Sequence, residues 1–240
     1  MRLQNEDAFA CFPDDGLHVV VDGMGGVGCG DVAAALAIEA VHEGVRAGRA
    51  EGRGGGELLA TSIERANLRL FDEAMRDRRR CGLGATIAAL LIEAGSVHVA
   101  HVGEARVYRL CRGELALVTR PWSFINGPSP PYEDLTAEDA AEIERSSRGR
   151  ALGLMAGAAI ELETRPAVEG DLYLLCSDGL YGALPGDEIA SILIANAPRS
   201  LERAARALLG GAIERSGPGA DDTTVVLVRI AAPRPVDSSR

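Results

Sequence analysis

The hydrophobic pattern changes period several times along the chain, and each change marks an element. Leu17 to Asp22 is an apolar, β-rich run. Asp31 then opens a long alanine-rich segment in which Val32, Leu36, Val41 and Val45 recur at helical spacing. The order is strand, glycine loop, helix. Gly48 to Gly56 is rich in glycine and arginine and predicts a flexible surface connection, after which a helical period resumes from Leu58 to Met75. Thr61 and Glu64 resemble a capping box, but apolar residues already precede them, so the helix is expected to start earlier. Three short β-like runs follow, Ala85 to Ile92, Val97 to Val102 and Val107 to Leu110, with a fourth at Leu115 to Val118. The turn residues between them are hairpin signals, and together they predict an antiparallel meander.

Pro121 to Pro131 is too proline-rich for a regular strand or helix and reads as a loop or flap, followed by a short amphipathic helix from Thr136 to Ser146. Leu172 to Cys176 predicts a buried strand ending at Ser177-Asp178-Gly179. Two helical stretches, Asp187 to Ala195 and Leu201 to Arg215, precede a last strand from Thr224 to Ile230. No internal repeat is visible. The expectation is one domain over residues 1–231 and a loose tail over 232–240, with two central and two terminal helices around many strands in a layered sandwich.

The chain has 240 residues, 47% hydrophobic and 25% charged, which is the balance of an ordinary globular protein. Its apolar runs are too short to span a bilayer. The formal net charge of -10 argues against nucleic acid as a partner, because a polyanion needs a basic field, whereas surplus carboxylates suit cations. Arg76 to Arg80, around Asp77, reads as a solvated helix end. The five cysteines, Cys11, Cys29, Cys81, Cys111 and Cys176, form no C-x-x-C pair and follow no signal peptide, so reduced thiols in a cytoplasm are expected. His98 and His101 lie three apart in a strand-like run and point to opposite faces, which disfavours a histidine zinc site.

Gly23-Met24-Gly25-Gly26-Val27-Gly28 fits the dinucleotide pattern G-x-G-x-x-G, yet Asp22 would set a carboxylate beside a pyrophosphate and the next sheet reads as antiparallel. Acids at strand ends favour another reading. Asp22 and Asp178 each end a strand, Glu104 lies in a turn, and Asp221-Asp222 precede the last strand. Hard divalent ions choose oxygen ligands, and two of them can share a hydroxide and neutralise a phosphoryl group during in-line attack.

In order along nearly the whole chain, these pieces resemble the bacterial form of the metal-dependent serine/threonine protein phosphatases of the 2C type. Arg2-Leu3-Gln4-Asn5-Glu6-Asp7 is similar to the family's R-x-x-N-E-D, and Val21-Asp22-Gly23-Met24-Gly25-Gly26 follows it. Gly84-Ala85-Thr86 is similar to G-T-T, and Val102-Gly103-Glu104-Ala105-Arg106 to V-G-D-S-R. Arg150-Ala151-Leu152-Gly153, Cys176-Ser177-Asp178-Gly179-Leu180 and Asp221-Asp222-Thr223-Thr224-Val225 complete the series. The resemblance implies an α+β fold, a four-layer αββα sandwich with metals in a cleft at one end of two sheets. It implies two Mn²⁺ or Mg²⁺ ions and hydrolysis of phosphoserine and phosphothreonine by metal-activated water, without a phospho-enzyme. Carried over by position, Asp22 bridges both metals, Asp178 and Asp221 hold the first, Glu6 and the Gly23 carbonyl hold the second, Asp7 orients the water, and Arg2 binds the substrate phosphate. The partners implied are phosphorylated proteins made by a serine/threonine kinase, and a cytoplasmic monomer is expected.

The chain also departs from the family pattern. Glu104 stands where an aspartate usually contributes, with Asp178, to a weak third metal, and Pro121-Trp122-Ser123 replaces D-H-S. Met1 directly precedes the arginine motif, where family members have another strand, so either that edge strand is absent or the natural start lies upstream. These departures motivate a rival, a weakened phosphatase fold that binds a phosphoprotein or kinase without turnover. A second rival is a phosphatase dedicated to one regulatory protein, as in sigma-factor partner switching.

Overall fold

The alternation of side chains along each strand decides the layering. The computed structural model describes residues 5–25, 29–76, 82–93, 95–120, 151–217 and 221–231. One antiparallel sheet contains β1 (Asp7–Phe12), β2 (Leu17–Met24), β3 (Gly84–Glu93), β4 (Ser96–Val102) and β7 (Glu161–Pro166), in the order β1-β2-β3-β4-β7. The second contains β5 (Arg106–Cys111), β6 (Glu114–Leu117), β8 (Leu172–Cys176) and β9 (Val225–Arg229), in the order β6-β5-β8-β9.

Leu17, Val19 and Val21 of β2 pack beneath two long helices, α1 (Gly30–Ala50) and α2 (Gly55–Arg76), while Val20 between them faces the other sheet. On β8, Tyr173 and Leu175 face inward. Leu172, Leu174 and Cys176 face α3 (Asp178–Ala183), α4 (Gly186–Asn196) and α5 (Leu201–Arg215). Strands buried on both faces must be apolar at successive positions, which is why β2, β3 and β8 read as continuous hydrophobic runs. The result is the expected α+β, four-layer αββα sandwich.

Several sequence expectations need correction. The meander breaks at Gly103–Ala105: β4 pairs with β3 and β7, and β5 pairs with β6 and β8, so this corner carries the chain from one sheet to the other. Gly103 takes φ +84° there, and Ala105 is buried between the sheets. The glycine-rich connection is also shorter than the Gly48–Gly56 span, because α1 runs to Ala50 and α2 starts at Gly55. Gly48 lies buried inside α1 against α2, where a Cβ would meet the tip of the Leu58 side chain, so it serves close helix packing rather than flexibility.

Thr61 is mid-helix, its hydroxyl donating to the Glu57 and Leu58 carbonyls, and is no cap. β1, β7 and α3 have no counterpart in the hydrophobic pattern. β7 is an edge strand in which the half-buried Glu163 and Arg165 alternate with the exposed Leu162, Thr164 and Pro166. His98 and His101 do face opposite ways: His98 bonds Thr164 at 2.9 Å, on the side of Gly55, and His101 lines the inter-sheet side with Val118 and Glu161.

Cys11, Cys29, Cys111 and Cys176 are free thiols. Among the described residues no helix is long and apolar enough to cross a membrane. Cys81, the arginines beyond Arg76, the proline-rich stretch, the expected helix from Thr136 to Ser146 and the tail lie outside the described residues.

Candidate functional site

Antiparallel pairing brings one end of every central strand to the same edge of the sandwich. β1 begins there, β2 ends there, and Asp7 and Asp22 are direct cross-strand partners, with Thr86 of β3 next to Asp22. In the second sheet, Arg106 at the start of β5, Cys176 at the end of β8 and Val225 at the start of β9 lie in one row. Asp178 therefore leaves β8, and Asp221-Asp222 enter β9, at the same edge.

Hydrogen bonds knit the two sheets together here. The Glu6 amide donates to Asp222 Oδ2 at 2.9 Å across 216 positions of sequence, and the Gly23 amide donates to the Glu6 carbonyl at 3.0 Å. A Cβ on Gly23 would lie 2.9 Å from that carbonyl oxygen and would strike the Gly30 carbonyl, so only glycine allows β2, the Glu6 backbone and the start of α1 to meet. Gly30 leaves a similar gap, since its own Cβ would fall 2.5 Å from Glu6 Cδ. The Glu6 carboxylate thus lies against the N-terminal turn of α1, where the helix dipole favours an anion.

Ser177, fully buried, is the junction of three strands. Its hydroxyl donates to Asp7 Oδ2 at 2.6 Å and accepts the Thr224 amide at 2.9 Å, while its own amide donates to the Thr224 carbonyl. Burial pushes the Asp7 carboxyl above the usual carboxylate range; Ser177 and Thr224 hydrogen bonds pull it back, and the charges of Asp222 and Asp178 add to the rise. Sequence reasoning assigned Ser177 no task. The signal was the one hydroxyl closing the apolar run LYLLC.

Glu104 lies at the corner between the sheets, where its carbonyl accepts the Tyr181 hydroxyl at 3.0 Å. Glu6, Asp7, Asp22, Gly23, Asp178, Asp221 and Glu104 thus all belong to segments meeting at this end. Arg2, Gly26 and Gly28 lie outside the described residues. Among the described residues, no three His, Cys, Asp or Glu side chains already stand gathered as a metal-holding group. The donor type nevertheless fits hard divalent cations, since the functional groups are carboxylates and backbone carbonyls. A dinucleotide cradle does not fit, since the strand following the α1–α2 pair enters antiparallel to β2.

A family model described as Stage II sporulation protein E (SpoIIE) matches residues 13–231. The chain belongs to the SpoIIE/PPM phosphatase family. Among curated members of the PPM group, the serine/threonine protein phosphatase PstP of Mycobacterium tuberculosis is 31% identical over 96% of this chain and 43% of its own length. The serine/threonine phosphatase stp of Listeria welshimeri is 30% identical over 95% of this chain and 91% of its own. The chain therefore spans less than half of the mycobacterial relative and nearly all of the Listeria one. A crystal structure of the PstP catalytic domain, in complex with two manganese ions, superimposes with a TM-score of 0.76 at 27% identity, covering 97% of this chain and 94% of that one.

Proposed function

We propose that residues 1–231 form one catalytic domain that hydrolyses phosphoserine and phosphothreonine in proteins, using Mn²⁺ or Mg²⁺ at the acid-lined end. The observation that carries this reading is the meeting of β1, β2, β8 and β9 there, with an acid at the site end of each. Asp22, Asp178 and Asp221 would hold one ion, and Asp22, Glu6 and the Gly23 carbonyl the other, with Glu104 and Asp178 offering a weaker third position. The manganese pair in the PstP structure and the names of the relatives support a metal-dependent phosphatase. When bound, the ions supply positive charge against the phosphoryl oxygens and lower the pKa of water towards neutrality.

The chain's own residues do the positioning. Ser177 fixes Asp7, whose raised carboxyl pKa suits it to orient the attacking water and hold a proton. Arg2 is assigned the substrate phosphate, which a planar guanidinium engages through two oxygens. Its partners are phosphorylated proteins, and the working form is a cytoplasmic monomer.

The test is hydrolysis of a small aryl phosphate and of phosphoserine and phosphothreonine peptides with Mn²⁺, with and without chelator, by the protein and by Asp22→Ala. Chelator-sensitive turnover abolished by the substitution supports the reading. A folded, Mn²⁺-loaded protein without turnover would overturn it in favour of a phosphoprotein binder.

A further inference from the structure

Glu104 and Asp178 come from different parts of the chain, a corner between the sheets and the first residue of a short helix. Tyr181, one turn after Asp178, spans the gap: its hydroxyl donates to the Glu104 carbonyl at 3.0 Å. Its ring is held in turn by Arg106, whose guanidinium carbon sits 3.4 Å from the ring centroid. Arg106 pairs with Cys176 in the β5–β8 register, so its side chain leaves the sheet on the helix side, beneath α3, where its Nη1 donates to the Tyr108 hydroxyl at 3.3 Å. Arg106 Nε is buried without a hydrogen-bond partner among the described residues. A guanidinium placed in such surroundings gives up hydration, and the ring face of Tyr181 is what it receives in return.

We infer that Arg106 and Tyr181 form a clamp that positions Glu104 relative to Asp178 and thereby sets the affinity of the weaker third cation position these two carboxylates offer. Both are positioning residues. Arg106 fixes the phenol plane, the phenol fixes the corner, and the corner fixes where the longer Glu104 side chain starts. The clamp rests on the metal reading above. It adds two residues, one cationic and one neutral, to which that reading gives no task. The cation itself repels Mn²⁺, so its presence beneath a metal-binding end is explained by the geometry it imposes and not by its charge.

The experiment is calorimetric titration of Mn²⁺ into the chelator-stripped protein, with the unfolding temperature in chelator measured alongside. Tyr181→Phe keeps the stacked ring and removes only the tether; the weakest Mn²⁺-binding step loses up to about fivefold in affinity, the ceiling set by one neutral hydrogen bond. Arg106→Lys keeps the charge, removes the planar stack and weakens Mn²⁺ binding in the same direction. Tyr173→Phe is the control. It removes a buried hydroxyl that has no partner among the described residues, on the inward face of β8, and leaves Mn²⁺ affinity unchanged. Wild-type affinity in Tyr181→Phe, or an equal loss in Tyr173→Phe, overturns the clamp and leaves the metal reading standing. Failure of the wild-type protein to bind Mn²⁺ overturns both.

Discussion

Ser177→Ala is the sharpest probe of how this end of the sandwich is held together. The substitution removes one oxygen from a fully buried site and leaves the backbone bond from the Ser177 amide to the Thr224 carbonyl in place. Two losses follow. The Thr224 amide loses its acceptor, and a buried donor left without one costs about 1–3 kcal/mol. Asp7 loses a 2.6 Å hydrogen bond to its carboxylate, and a bond to a charged group is worth about 1.5–3 kcal/mol. The losses share one hydroxyl and Asp7 can retreat by taking a proton, so the expected total is about 2–4 kcal/mol, below the simple sum. In a chain of this size each kcal/mol moves the unfolding temperature by about 2–4 °C.

The pH dependence carries a second signature. Removing Ser177's donor raises the folded-state pKa of Asp7 further above its unfolded value, which penalises the anion in the fold. The stability deficit is therefore fully present at neutral pH and shrinks as pH falls through the raised pKa. Urea unfolding in chelator at pH 7.5 and in mildly acidic buffer measures both. A deficit under about 0.5 kcal/mol, the size of an ordinary surface substitution, or one equal at both pH values, refutes the three-strand junction.

Gly30→Ala sets helix propensity against site geometry. Alanine favours a helix by up to about 1 kcal/mol, but its Cβ lands 2.5 Å from Glu6 Cδ, roughly 1 Å inside normal contact. The expected outcome is near-native unfolding temperature with turnover reduced on the order of 100-fold, read by aryl phosphate hydrolysis at fixed Mn²⁺. Asp171→Ala strands Arg109, its ion-pair partner at 2.5 Å; because the Arg109 side chain stays 21% exposed and can be hydrated, the cost in a urea titration should be about 1–3 kcal/mol. Burial lowers the pKa of His18, His98 and His101 below the ordinary value of about 6.5, so the fold favours the neutral rings. Their contribution is complete above that value and is lost as pH falls below it, which scanning calorimetry from pH 7.5 to 5 should show as a falling unfolding temperature.

The elements legible in the sequence are those whose burial is complete. β2, β3 and β8 announce themselves because both faces are covered, and α2 because its apolar stripe keeps a helical period. β7 is hidden because an edge strand is at most half-buried on either face, so that its more buried positions can be Glu163 and Arg165 and its exposed ones include Leu162, and α3 because six residues cannot show a period. Gly48 looks like a loop residue until the partner helix is known, since close packing and flexibility select the same amino acid.

The candidate site divides in the same way. Acids at strand ends are visible, because Asp22 and Asp178 interrupt apolar runs. Ser177, Arg106 and Tyr181 are not, because what each does depends on a residue far away in the sequence. The corner at Glu104 reads as a simple turn because turn residues do not say which sheet the next strand joins.

The hydrogen bond from Glu6 to Asp222 has a consequence for biosynthesis. It joins the residue that precedes β1 to one that precedes β9, 216 positions later in the order of synthesis. Until β9 emerges, Glu6 lacks its acceptor and Ser177 lacks the Thr224 amide, so a nascent or prematurely terminated chain holds its acids on unanchored segments. The acids of this end are brought to their final places only once the β9 segment has been made.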